Sequence, residues 1–437
     1  MKPNEHLEHA IDRRMMLRLG AMAGLGAAAM PRLAWASAQP DLAPNLRAMV
    51  ARWVDSGQVP GLVASLGLPG RPTEFIVRGA EGFTDADPMS ADSIFRIYSM
   101  TKPITGMAAM MLIDEGKLGL DQPVADFIPA YADMQVQVTP DGSITDLRPA
   151  QTQITIRHLL THTAGLAYSI IQKGPILAMM IERGLLPGRV TKLPIPMLGL
   201  GPNPRVESLA AFAEGMAEVP LVYEPGTKYS YSVSLDVLGR VIEIASGQPF
   251  DVFLQEKFFD PLGMASTGFV VPRADAHRLV TNYAVLDSKL LPIDGPDDSI
   301  YLDQPEFPFG GAGLVSTPRD YDRFLAMLAG RGALDGVRVM SEAAVRMGTG
   351  NLLPDGVEGK TGFGNVSHYG AGGRVGIGDE AGVFGWAGAA ATVGMVDMIH
   401  GLRSQIYAQF MPPDALDLLP EFQTALREDI RALMARA

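Results

Sequence analysis

The sequence predicts an α/β (α+β) fold: one antiparallel sheet built from both chain ends, flanked by helices, with a mainly helical region inserted between. Three observations predict it. Short apolar runs with strand character lie at residues 61–79 and return after 362. Helical periodicity dominates the stretch between them. Residues 362–400 are rich in glycine between short apolar runs, as closely spaced strands require.

The elements follow in chain order. Residues 41–57 place Leu42, Leu46, Val50 and Val54 on one face of a helix. Residues 61–68 and 73–79 read as two strands joined by a turn at Pro69-Gly70. A helix starts near Ser99 and runs to about Glu115, closed by Gly116. A short one covers 154–163 and stops at Gly165. From about 170 to 205 the chain is rich in Gly and Pro and reads as an irregular loop that shapes a substrate pocket. Helices are expected at 232–246, 249–258 and 317–330, the last with Thr317 as a cap toward Asp320. Val383 to Met398 reads as one long strand, Arg403 to Phe410 as another, and 415–435 as a final helix. Residues 39–437 then form one domain, with a sheet part at about 39–95 and 305–437 and a helical part at about 96–304.

Residues 1–38 read as an export signal. Asp12-Arg13-Arg14-Met15-Met16-Leu17-Arg18 is a twin-arginine pattern, followed by a weakly apolar run and the small residues Ala36-Ser37-Ala38. Cleavage after Ala38 would leave a periplasmic protein with no stable membrane span, since the run from Leu19 to Met30 is far shorter than the ~20 residues a spanning helix needs. The chain carries no cysteine, which excludes disulfides, thiolate nucleophiles and Cys-ligated zinc. Its net charge of −12 argues against nucleic acid as a partner.

Several apparent sites fail on their own terms. Gly359-Lys360-Thr361 would end a phosphate loop, but Pro354 stands where that loop needs glycine. No G-x-S-x-G elbow occurs. His158 and His162 are four apart, yet Leu159 takes the place of the zinc-protease glutamate, so a turn-holding role is the better reading.

Ser99-Met100-Thr101-Lys102 remains. At a helix start, positions i and i+3 share a face, so the Lys102 amine can reach the Ser99 hydroxyl. Serine is a weak nucleophile until a base lies beside it. The tetrad by itself is common. Its surroundings are not: Ile94-Phe95-Arg96-Ile97-Tyr98-Ser99-Met100-Thr101-Lys102, Ile156-Arg157-His158-Leu159-Leu160-Thr161-His162-Thr163-Ala164-Gly165-Leu166, Pro225-Gly226-Thr227-Lys228-Tyr229-Ser230-Tyr231-Ser232, Asp260-Pro261-Leu262-Gly263-Met264 and Gly311-Ala312-Gly313-Leu314-Val315-Ser316-Thr317. In this order they resemble the serine β-lactamase and penicillin-binding-protein superfamily, over roughly residues 42–412. Within it, the likeness is greatest to class C β-lactamases and family VIII carboxylesterases.

The resemblance implies roles for particular residues. Ser99 would be the nucleophile, and Lys102 and Tyr231 would share proton transfer, with Tyr223 and Tyr229 as lesser competitors. The backbone N–H groups of Ser99 and Ala389 would form the oxyanion hole. A third motif has two candidates, the literal Lys360-Thr361-Gly362 and Trp386-Ala387-Gly388, and the second matches the W-x-G form of the esterases. Trp386 and Gly388 would then border the substrate, with Val233 where the lactamases carry a substrate-contacting Asn. Losing both a lysine and an amide favours a neutral ester over a β-lactam. The implied activity is ester hydrolysis through an acyl-serine intermediate on a small-molecule substrate, with no cofactor or metal. A β-lactamase or D-peptide hydrolase, an acyltransferase, and a non-catalytic binding relative are the alternatives.

Overall fold

The structure, a computed structural model, describes residues 41–436 apart from 86, 194–203 and 361–365. The export signal therefore lies outside the described residues.

Eight strands form the main sheet: β1 (Gly61–Gly67), β2 (Glu74–Gly79), β3 (Gly359–Lys360), β4 (Val366–Tyr369), β5 (Arg374–Val375), β6 (Val383–Gly388), β7 (Thr392–Asp397) and β8 (Arg403–Tyr407). Their spatial order is β3-β4-β5-β6-β7-β8-β1-β2. Every neighbouring pair is antiparallel. The two chain ends meet where Val63 pairs with Tyr407 and Ala64 with Ile406. The sheet built from both ends is thus present.

Both faces of the sheet are covered, which is why every residue of β1 is buried. Among the helices are α1 (Pro44–Asp55), α2 (Thr101–Asp114), α3 (Ile156–Leu160), α4 (Gly174–Glu182), α5 (Ser234–Ser246), α6 (Pro318–Ala329) and α7 (Leu418–Arg436), of which α1, α2, α6 and α7 bear on the sheet. On one face, Leu46, Met49 and Trp53 of α1 and Leu418 and Phe422 of α7 pack on Leu62, Ala64, Val393 and Ile406. α1 begins at Pro44 without a side-chain cap of its own. Asp429 of α7 takes its place, accepting from the N–H of Asn45 at 3.0 Å and Leu46 at 2.9 Å. On the other face, Val63, Phe384, Val396 and Tyr407 join a larger core with α2, α5 and α6. Burying each such side chain is worth about 1.5–3 kcal/mol, so the buried α2 is held by packing on every side.

Two expectations need correction. The stretch Val383 to Met398 is two strands, β6 and β7, joined by a turn at 389–391 where Ala391 adopts φ 55°. The residues of that turn are alanines, which carry none of the usual turn signals. The Gly- and Pro-rich stretch from 170 contains α4, with Pro175 in its first turn, where a missing N–H costs nothing. The inserted region is mainly helical, as expected, but its helical part as drawn to 304 also holds strands Asn282–Leu286 and Lys289–Asp294, a hairpin that pairs with Phe410–Met411.

Candidate active site

Ser99 sits in a single 3-10 turn, Tyr98–Met100, that leads into α2. The turn is pinned from outside. Phe95 and Arg96 pair with Ser316 and Val315. The buried Arg96 guanidinium forms an ion pair with buried Asp294, and the Arg96 N–H donates to Gln409 Oε1 at 2.8 Å. This anchoring sustains an unusual backbone: Tyr98 has φ 41°, a left-handed value costly for a bulky residue.

The helical offset then does what the spacing requires. Lys102 Nζ donates to Ser99 Oγ at 3.1 Å and to the Gly311 carbonyl at 2.6 Å. Lys102 is fully buried. Its ammonium lies 4.6 Å from the centre of the Tyr231 ring. Tyr231 Oη donates to Ser99 Oγ at 2.8 Å. Ser99 Oγ is therefore within hydrogen-bond reach of two titratable groups, an amine and a phenol. Tyr229 and Tyr223 have no such contact: Tyr229 packs on Tyr369, and Tyr223 lies 4.0 Å from the Lys228 ammonium.

Tyr231 is held from behind. The turn at Gly226 (φ 80°) presses against His158, where a Cβ would come within 2.9 Å of its Nε2. His158 accepts the Thr155 N–H at 3.2 Å and completes a capping box on α3, the turn-holding role expected of it. Burial lowers its pKa to about 4. The His162 ring lies 4.6 Å from that of Tyr231. Its Nδ1 accepts the Ser232 N–H at 3.2 Å. Burial, aided by nearby Lys102, holds His162 neutral.

One residue escaped the sequence reading. Asp236, in the first turn of α5, is fully buried and accepts the Gly311 N–H at 2.9 Å. The Gly311 peptide thus joins the Asp236 carboxylate on one side to the Lys102 ammonium on the other. Burial pushes Asp236 up to about 6, against the pull of Lys102. The spacing of Asp236 five residues after Tyr231 was the available signal, but nothing local ties it to Gly311, 75 positions away.

The third motif falls on β6. Trp386 Nε1 lies 3.4 Å from Tyr231 Oη, and the two rings stack with centroids 5.9 Å apart. Gly388 brings β6 against the nucleophile turn, since a Cβ there would come within 2.5 Å of the Ile97 carbonyl oxygen. Ala389 follows and lines the same cavity as Ser99. Lys360 belongs to edge strand β3, three strands from β6, or about 14 Å at ordinary strand spacing. Thr361 and Gly362 lie outside the described residues. Val233 departs from its expected place. It is fully buried in the large core and does not line the cavity, because it immediately precedes α5 and turns inward with that helix.

The cavity beside Ser99 measures about 380 Å³. Tyr98, Tyr168, Phe269, Tyr301 and Phe309 give it aromatic walls, and Ile170, Pro187–Val190 and Lys192 from the stretch after 170 also line it. Among the described residues there is no group of acidic or histidine side chains that could hold a metal ion, and no helix long and apolar enough to cross a membrane.

Comparison with known proteins bears on the fold and the family. Protein Rv1367c of Mycobacterium tuberculosis is 37% identical over 63% of this chain and 64% of its own length. Esterase EstB of Burkholderia gladioli is 31% identical over 60% of this chain and 65% of its own. The chain thus spans just under two thirds of the length of these relatives. The solved structure of EstCE1, a hydrolase with promiscuous acyltransferase activity, superposes with a TM-score of 0.70 at 24% identity, covering 88% of this chain and 98% of that one. The family model described as Beta-lactamase matches residues 46–425, and the chain belongs to that family.

Proposed function

We propose that the protein is a serine hydrolase that cleaves carboxylic esters through an acyl-Ser99 intermediate. The observation that carries this is the contact of Ser99 Oγ with both Lys102 Nζ (3.1 Å) and Tyr231 Oη (2.8 Å). As Ser99 Oγ attacks the ester carbonyl, its proton passes to the Lys102–Tyr231 pair, which reacts in the form that is one proton short, amine with phenol or ammonium with phenolate. The N–H groups of Ser99 and Ala389 receive the developing oxyanion, which is commonly the largest electrostatic contribution in such sites. Tyr231 returns the proton to the departing alcohol, leaving Ser99 acylated. Water then gives a proton to the same pair as it attacks the acyl carbon, and the pair returns that proton to Ser99 Oγ as the acid is released.

Two features favour an ester over a β-lactam. Trp386 stacks on Tyr231 where the lactamases carry a cation, and Lys360 lies on the far edge strand. The 31% identity to a protein named as an esterase supports the same reading. The test is paired kinetics on p-nitrophenyl butyrate and a chromogenic cephalosporin, with Ser99→Ala as control. Ester turnover that needs Ser99, with little lactam opening, supports the proposal. Efficient lactam opening, or ester turnover that survives Ser99→Ala, overturns it.

We also propose export by the twin-arginine route. Replacing Arg13 and Arg14 by lysine should retain the protein in the cytoplasm on fractionation, and unchanged periplasmic recovery would contradict this.

A further inference from the structure

The segment 310–314 is gripped from two sides. On the α2 side, Thr101 Oγ1 accepts the Leu314 N–H at 3.1 Å, Thr105 Oγ1 donates to the Gly310 carbonyl at 2.7 Å, and Lys102 Nζ donates to the Gly311 carbonyl at 2.6 Å. On the α5 side, Asp236 Oδ1 accepts the Gly311 N–H at 2.9 Å. The approach needs glycine, since a Cβ at Gly311 would come within 2.6 Å of Asp236 Oδ2. The backbone of one residue therefore stands between the Asp236 carboxylate and Lys102 Nζ. Two hydrogen bonds and the span of one residue from N to O place them at most about 9 Å apart.

The groups around Lys102 leave that carboxylate a specific part to play. Lys102 Nζ faces Ser99 Oγ at 3.1 Å, the Tyr231 ring at 4.6 Å and the Tyr168 ring at 5.9 Å. His162, also near, is held neutral. Asp236 is the one carboxyl in this set. It is fully buried, and burial raises it to about 6 while Lys102 pulls it down, so it is ionised above that pH. Burying a carboxylate is costly. Accepting the Gly311 N–H needs only an oxygen, which an uncharged asparagine also supplies. The charge itself finds its partner in the Lys102 ammonium.

We propose that Asp236 is a positioning residue for the reaction: it fixes Gly311, whose carbonyl aims Lys102 at Ser99, and its charge balances the Lys102 ammonium in the buried site. This rests on the proposed roles of Ser99, Lys102 and Tyr231. Asp236 makes no contact with Ser99 and acts through Lys102. A nearby negative charge favours the more protonated form of the Lys102–Tyr231 pair, whereas the pair reacts one proton short. Removing that charge lets the pair give up its protons at lower pH.

The test compares the parent with Asp236→Asn, which keeps the acceptor and removes the charge. With p-nitrophenyl butyrate, kcat/KM is followed from about pH 5 to about pH 9, the range in which these groups titrate. The profile of the variant should move to lower pH by about one unit, with kcat at its optimum about tenfold lower and the melting temperature little changed. Gly311→Ala attacks the same contact from the other side with both charges kept. It should lower kcat at least about fivefold, with KM little changed, by displacing the carbonyl that aims Lys102. A profile that stays in place or moves to higher pH in Asp236→Asn, an activity loss that only tracks a fallen melting temperature, or a Gly311→Ala enzyme with undiminished kcat would overturn the proposal while leaving ester hydrolysis intact. A parent with no Ser99-dependent ester turnover, judged against Ser99→Ala, would instead remove the functional reading beneath it.

Discussion

The two sides of Ser99 are built on opposite principles. Behind it lie the fully buried Lys102, Asp236 and His162 and the partly buried Tyr231, with Lys102 and Tyr231 meeting on Ser99 Oγ and Lys102 and Asp236 on Gly311. In front lies an aromatic cavity whose charges sit at the rim and are paired across it. The first side is dry and tolerates little change, because a buried polar group that loses its partner bears its full desolvation cost. The second is shaped but chemically plain, and its residues can vary in size without disturbing proton transfer. On the proposed function, reaction type is set behind the serine and substrate choice in front of it.

Substitutions behind Ser99 break this contrast most severely. Ser99→Ala should reduce ester turnover by roughly 10⁴-fold or more with the fold intact, measured by kcat and a thermal melt. Tyr231→Phe should cost at least about 10²-fold, the usual contribution of a positioned proton donor. Asp236→Asn retains an acceptor for the Gly311 N–H and removes only the charge. It should lower kcat by about tenfold and shift the pH–rate profile, with KM and melting temperature little changed. A purely structural role would leave that profile in place. Trp386→Phe removes a donor that is long at 3.4 Å, and should change kcat only about two- to fivefold.

The smallest effect concerns pH and stability. His158 has its pKa lowered by burial to about 4 from an ordinary 6.5. Between those values the unfolded chain binds a proton that the folded one excludes, so stability falls as pH drops through this window. Asp236, raised to about 6, and Glu81, raised by burial to about 7, act in the opposite sense, losing stability as pH rises. Comparing His158→Gln with the parent isolates the first contribution. The variant should lose less stability than the parent between pH 7 and pH 4.5 in thermal unfolding.

The same contrast explains how much could be read from the sequence. Ser99 and Lys102 are three residues apart on one helix start, so their contact was legible at short range, whereas Tyr231 was singled out by the family resemblance of its Pro-Gly segment. Asp236 was not, because its meaning depends on Gly311, which only the fold brings near. The sheet from both chain ends was legible from the apolar runs. The break between β6 and β7 was hidden by Ala389–Ala391, residues with no turn signature, and α4 was hidden by the glycines and prolines around it. Val233 holds the expected place in the chain, but it precedes α5 directly and turns into the core.

The central claim is tested most directly by rapid acid quench during turnover of p-nitrophenyl butyrate, followed by peptide mass analysis. The account predicts one butyryl group per protein, on the peptide and residue Ser99, and none in Ser99→Ala. An unmodified Ser99 during active turnover, or a butyryl group on another residue, would contradict it.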